Sequence, residues 1–223
     1  MSRSAVLAGA TGLVGGHVLD ALLADDAYRD VRTLGRRILD RTHAKLTQHL
    51  VDFDQLDAHA DLLAVDDVFC CLGTTIKKAG SQEAFRKVDL HYPAELARIA
   101  AAQGVKQYLM VSAMGADPNA SVFYNRVKGE AEQAVQQPDF RGVYLLRPSL
   151  LLGDRNEVRL GEQIGEVVMQ ALRFVMIGPL RPYRAIEASD VAGAMLAFAK
   201  AQPSGVQVYP SDAIQQWADE AQN

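Results

Sequence analysis

The chain has 223 residues, of which 49% are hydrophobic and 22% charged, with a formal net charge of -4 and a pI near 5.7. This is the composition of an ordinary globule large enough for one substantial core, and it offers no basic face for nucleic acid. No apolar run approaches the roughly 20 residues of a bilayer span, and glycines and a threonine interrupt MSRSAVLAGATG before a signal-peptide core can form.

Apolar runs alternate with helical periods along the chain. Ser4–Ala8 reads as a strand, Leu13–Ala24 as a helix, and Val31–Leu34 and Leu46–Val51 as two further strands. Asp67–Leu72 (DVFCCL) is continuously apolar, as in a strand covered on both faces. Its adjacent Cys70 and Cys71 point to opposite sides of that strand and lack zinc-site spacing. They read as buried, reduced thiols of a cytoplasmic protein with no metal site. A long helix is expected over Gln82–Gln103, ended by Gly104. Gln107–Ser112 is the next strand, Val122–Gln137 the next helix, and Val143–Arg147 a further strand. Ser189-Asp190 offers an N-cap and an acid to another helix. Val206–Tyr209 and Ser211–Gln222 complete the chain as strand and helix. Such alternation predicts a doubly wound parallel sheet with helices on both faces, a Rossmann-like α/β fold in one domain spanning residues 1–223. Residues 152–184, rich in Arg and Gly, break the pattern and read as an inserted substrate-side cap.

Gly9, Gly12 and Gly15 lie between the first strand and first helix in LAGATGLVGGH. Glycines here allow a tight turn, admit a pyrophosphate to the backbone, and let the helix pack close to the strand. The free N–H groups of the helix start then face the phosphates. Thr11, Leu13 and Val14 belong to the same cofactor-binding loop. At the tip of the second strand, where an acid would hold the ribose hydroxyls of NAD, TLGRR places Arg36 and Arg37. Two guanidinium groups suit an adenosine 2′-phosphate, so the cofactor indicated is NADPH (NADP).

SVFYNRVKGE sets Tyr124 and Lys128 one helical turn apart on a common face. A lysine ammonium there lowers the pKa of a tyrosine, which otherwise titrates near 10. Ser112 ends the preceding strand at the carboxyl edge and is placed to hold a substrate carbonyl against the tyrosine. These three are the candidate catalytic residues. Gly129, next to Lys128 inside the helix, costs about 1 kcal/mol against alanine, which a close approach by backbone or ligand would explain.

GATGLVG, LGRR, VDFDQL, CCLGTTIKKAG, VSAMGAD, YNRVKGEAE, LLRPSLLLGDR and the SDVAGAM helix start together resemble an atypical short-chain dehydrogenase/reductase. Within that group the resemblance is to the Tat-interacting-protein-type oxidoreductases, over essentially the whole chain. It implies an NAD(P)-binding Rossmann fold, Asp52 and Phe53 near the adenine, and Leu72, Gly73 and Thr74 along the cofactor. It also implies that Pro148, Ser149 and Leu150 lie by the nicotinamide. Many active members carry an asparagine on the helix after the fourth strand as part of a proton relay; the matching stretch here is VDLHY, with Asp89 and His91.

The resulting expectation is an NADPH-dependent oxidoreductase reducing a carbonyl of an unidentified small molecule, as a monomer or homodimer. A non-catalytic NADPH-sensing regulator is the alternative, but regulators in this superfamily often lose the tyrosine or lysine, and this chain keeps both, which favours chemistry. An epimerase would need more than the roughly 70 residues that follow Pro148. The cap arginines Arg155, Arg159, Arg181 and Arg184 read either as a solvated rim or as contacts for an anionic substrate.

Overall fold

The computed structural model describes residues 2–153 and 183–221. Its centre is a seven-stranded sheet made of β1 (Arg3–Ala8), β2 (Tyr28–Gly35), β3 (Leu46–Leu50), β4 (Asp67–Cys70), β5 (Gln107–Val111), β6 (Gly142–Arg147) and β9 (Gly205–Pro210). All pairings are parallel, in the order β3-β2-β1-β4-β5-β6-β9. The chain leaves β1 toward one edge and returns beyond it as β4, so the sheet reverses direction between these two strands. Open parallel sheets bind ligands at such a switch point, outside the carboxyl ends of the strands. A short pair, β7 (Leu151–Leu152) with β8 (Ile186–Glu187), stands apart from the main sheet.

Alternate strand residues feed two cores. Val6, Val68, Tyr108, Met110 and Leu145 pack under α4 (Tyr92–Ala102) and α5 (Phe123–Val135). Leu7, Phe69, Leu109, Tyr144 and Leu146 pack under α1 (Leu13–Ala24) and α6 (Ala188–Ala201). Period-two alternation therefore divides even the continuous apolar run DVFCCL. Cys70 enters the first core, Cys71 packs against the second, and both are free thiols.

At the amino edge a buried polar network joins five strand starts. Asp67 accepts from Arg3 at 2.6 Å, from the Tyr28 hydroxyl at 2.7 Å and from Gln107 Nε2 at 2.6 Å. Tyr144 donates to Gln107 Oε1 at 2.7 Å. Burial and the neighbouring Asp67 carboxylate push the Tyr28 phenol far above its usual range, so it stays protonated and donates to Asp67.

Four local features differ from the sequence expectation. β2 begins at Tyr28 rather than Val31, because pairing with β1 and burial of Tyr28 carry the strand through the polar Arg29 and Asp30. Phe53–Leu63, to which the sequence reading assigns no element, is a kinked 3₁₀ segment anchored by buried Phe53, Leu56 and Leu63. α6 starts at Ala188 with Glu187 at the cap position, so Ser189 lies inside the first turn and caps nothing. The helix expected over Gln82–Gln103 is not uniform: α3 (Gln82–Arg86) and α4 are joined through a π turn at Lys87–His91. Pro93 supplies a reason. A proline inside a helix has no N–H for the carbonyl four residues back and its ring crowds that carbonyl, and widening the turn before it relieves both. A short helix α2 (Ile76–Ala79) precedes this stretch, and α7 (Ser211–Ala221) closes the described chain. Most of the expected cap, with Arg155, Arg159 and Arg181, lies outside the described residues. Arg184 is described, and its carbonyl accepts from the Ser149 hydroxyl.

Candidate cofactor and catalytic site

The turn after β1 is built from backbone contacts. Gly9 adopts φ +90°, and the Gly12 N–H donates to its carbonyl at 2.9 Å. A Cβ on Gly9 would stand 2.4 Å from the Cys71 carbonyl oxygen, and one on Gly15 2.1 Å from the Gly9 carbonyl oxygen. No side chain fits at either place, so the loop is pressed both onto the exit of β4 and under the start of α1. Gly12 is the N-cap residue of α1, without a side-chain cap, and the first turn carries no acid. The N–H groups of Leu13, Val14 and Gly15 therefore have no acceptor within the helix. Thr11 and Gly12 are exposed. A backbone surface with free donors, no side chain at Gly12 and no acid is what a pyrophosphate requires.

The turns after β2 and β3 lie beside it at the same sheet edge, joined where the Val51 N–H donates to the Gly35 carbonyl at 2.9 Å. Arg36 and Arg37 are exposed here, and among the described residues neither has a carboxylate partner. Asp52 is exposed and accepts from the Asp54 N–H at 3.0 Å, capping the 3₁₀ segment. Phe53 is buried, with its ring 5.3 Å from that of Tyr92.

Leu72, Gly73 and Thr74 leave β4 and bring the third part of the edge to α5. A Cβ on Gly73 would stand 3.7 Å from Lys128 Nζ and 3.5 Å from Asp89 Oδ1. Lys128 and Asp89 are buried, and Nζ is 2.7 Å from Oδ1. That contact is an ion pair by distance, while its angles fall outside those of a directed hydrogen bond. The other carboxylate oxygen accepts from the Thr74 N–H at 2.9 Å. Burial opposes the charge on Lys128, yet Asp89, with Tyr124 adding to it, outweighs burial and raises the lysine pKa above its ordinary value. Tyr124, one turn earlier on α5, is half-buried and packs on Phe85 with ring centroids 5.6 Å apart. Directly after Lys128, a Cβ on Gly129 would stand 2.2 Å from the Asp117–Pro118 peptide. Close backbone approach therefore accounts for this glycine.

Ser112 belongs to a different cluster. It is buried, and its hydroxyl donates to Glu132 Oε1 at 2.5 Å. Arg147 donates to both oxygens of the same carboxylate, at 2.9 and 2.5 Å. Hydrogen bonding to Glu132, against the opposing effect of burial, raises the pKa of that guanidinium. Neither Tyr124 nor Lys128 is a hydrogen-bond partner of Ser112. Pro148 accepts from the Met114 N–H at 3.0 Å, Ser149 accepts from the Ser211 hydroxyl at 3.0 Å, and Leu150 is exposed. Sequence reasoning assigned no role to Asp89 or Glu132. The available signal was an acid set among residues that the helical period turns inward, with Glu132 one turn after Lys128.

Comparison with known proteins shows the family and the fold. A family model described as NAD(P)H-binding matches residues 9–201. Protein HTATIP2 of Rattus norvegicus is 38% identical over 165 residues, covering 72% of this chain and 68% of that protein. The mitochondrial protein FMP52 of Candida albicans is 32% identical over 206 residues and 88% of each chain. A UDP-N-acetylglucosamine 4-epimerase from Methanobrevibacter ruminantium shares the fold with a TM-score of 0.69 at 17% identity, over 94% of this chain and 76% of its own. The Bordetella bronchiseptica enzyme WbmH, solved with NAD+, does so with a TM-score of 0.70 at 14% identity, over 98% and 80%.

The expectation of a cytoplasmic protein is corrected by these relatives, several of which, from fungi, are named mitochondrial. Reduced cysteines indicate a reducing compartment without saying which one, so they could not carry that assignment. No helix of the described residues is long and apolar enough to cross a membrane.

Proposed function

Because the chain belongs to the NAD(P)H-binding family, we propose that it is an NADPH-dependent oxidoreductase that reduces the carbonyl group of a small-molecule substrate. The observation that carries this reading is the pairing on α5. Tyr124 stands one turn from an ammonium that is buried, charged and next to the loop leaving β4.

Gly9, Gly12 and Gly15 would hold the pyrophosphate, with Thr11, Leu13 and Val14 around it, and Arg36 and Arg37 would hold the 2′-phosphate. When bound, a reduced nicotinamide supplies the hydride. The Tyr124 hydroxyl donates the proton that the substrate oxygen takes up, and the Lys128 charge lowers the cost of the phenolate left behind. Ser112 could hold the same oxygen only after turning its hydroxyl from Glu132.

That commitment of Ser112 favours a second reading, a regulator that binds NADPH without turning over. A panel of aldehydes and ketones incubated with NADPH distinguishes the two. Consumption of cofactor with at least one carbonyl, lost in Tyr124→Phe, is expected of the reductase. No consumption across the panel, together with intact NADPH binding, overturns it.

A further inference from the structure

We infer that Asp89 is the positioning residue of this site, tying the Lys128 ammonium to the Thr74 amide and fixing where that positive charge stands beside Tyr124. The inference takes the role of Lys128 from the proposed function and adds what sets its charge and place.

Asp89 lies on the π turn between α3 and α4, is 1% exposed, and spends both oxygens on this site. One is 2.7 Å from Nζ; the other accepts the Thr74 N–H at 2.9 Å. A single carboxylate thus connects the loop leaving β4 with the lysine of α5. A Cβ on Gly73 would be in van der Waals contact with both groups, so the pair stands directly against the loop leaving β4.

Three titratable groups act on Lys128: Tyr124 on its own helix, Cys70 on β4 and Asp89. Burial raises the Cys70 thiol pKa, keeping it neutral. A tyrosine acting as a proton donor is neutral until it reacts. Asp89 is therefore the standing negative charge, and a buried ammonium without one releases its proton readily.

The test follows the Lys128 side chain itself, by a pH titration of the full chain labelled with ¹³Cε-lysine, without cofactor. Loss of one resonance in Lys128→Arg assigns the signal. In the unmutated protein it should stay at the charged position beyond the ordinary lysine range. In Asp89→Asn it should titrate with at least about tenfold weaker proton affinity, one pKa unit, and Asp89→Glu should restore most of the difference. An unchanged titration in a folded Asp89→Asn protein overturns the inference. So does a Lys128 that titrates below an ordinary lysine in the unmutated chain, a result that needs no variant to fold. A failed carbonyl screen sinks the reductase reading and leaves this measurement standing.

Discussion

Ser112 and Glu132 are joined across the gap between the end of β5 and α5, with the serine hydroxyl 2.5 Å from a carboxylate that Arg147 also grips. The serine thus stabilises the ends of two neighbouring strands. Ser112→Ala should cost about 1.5–3 kcal/mol of stability, the net worth of a hydrogen bond to a charged group, read as a shift in the urea midpoint. Its effect on turnover should be smaller than that of Tyr124→Phe. A larger loss of turnover with stability unchanged would return Ser112 to the reacting atoms.

Arg36 and Arg37 stand exposed without carboxylate partners among the described residues, so a 2′-phosphate would meet them unneutralised. Calorimetric titration should give tighter binding for NADPH than for NADH. Arg36→Asp should lower NADPH affinity by roughly 10- to 100-fold, the equivalent of about 1.5–3 kcal/mol for a lost charge-assisted contact, and leave NADH nearly unaffected. Equal affinities in the unmutated protein would refute the 2′-phosphate assignment.

Gly12→Val examines the cradle. A Cβ at Gly12 stands 3.2 Å from the Gly9 carbonyl oxygen, so that carbonyl must give by a few tenths of an ångström, and φ there is an ordinary -82°. The variant should fold, by circular dichroism, and bind neither NADPH nor NADH measurably. Retained affinity would show that the turn serves only to connect β1 with α1.

Tyr124→Phe should reduce turnover by on the order of 10²- to 10⁴-fold, the usual contribution of a general acid, with NADPH affinity changed by no more than a few-fold. Lys128→Ala should be more damaging, because it also leaves Asp89 buried without its counter-charge. Full activity in the phenylalanine variant would exclude Tyr124 as the proton donor.

Asp67 lies at the opposite edge of the sheet from the cofactor loops, so its removal should affect folding alone. Asp67→Ala strips Arg3, Tyr28 and Gln107 of their shared acceptor. Breaking a buried ion pair from one side costs about 3–5 kcal/mol, and thermal denaturation should register it with cofactor affinity preserved in the folded fraction. A loss below 1 kcal/mol would mean that water reaches these groups.

Much of the fold is legible from the chain because parallel strands buried on both faces appear as unbroken apolar runs, and α1 falls on the residues its period assigns. The glycine turn and the Tyr124–Lys128 pair are local patterns and equally legible. What could not be read depends on contacts between distant segments. Phe53, Leu56 and Leu63 are spaced by three and seven, a helical period, but acids and a histidine stand between them and the backbone leaves helical angles at Gln55 and His59. Tyr28 joins β2 through a hydroxyl bond to Asp67, 39 residues away. Pro93 was a visible break within a helical pattern, and it marks the turn that carries Asp89. Glu132 shares its face with buried Val127, Ala131 and Val135, and only the fold reveals that Ser112 and Arg147 meet it there.

The π turn at Lys87–His91 also sets the length of this stretch to the residue. An α-helix advances about 100° per residue, so deleting one residue between Arg86 and Tyr92 would convert the wide turn to a regular one and rotate everything on one side of it by that angle. Asp89, or whatever replaced it, would swing off the line to Lys128, while Pro93 would again crowd the carbonyl four residues before it. Insertions and deletions are therefore excluded from these five residues even though the segment is a helix with an exposed face. Alanine substitutions at exposed Lys87 and His91 should be tolerated where a single-residue deletion between them is not.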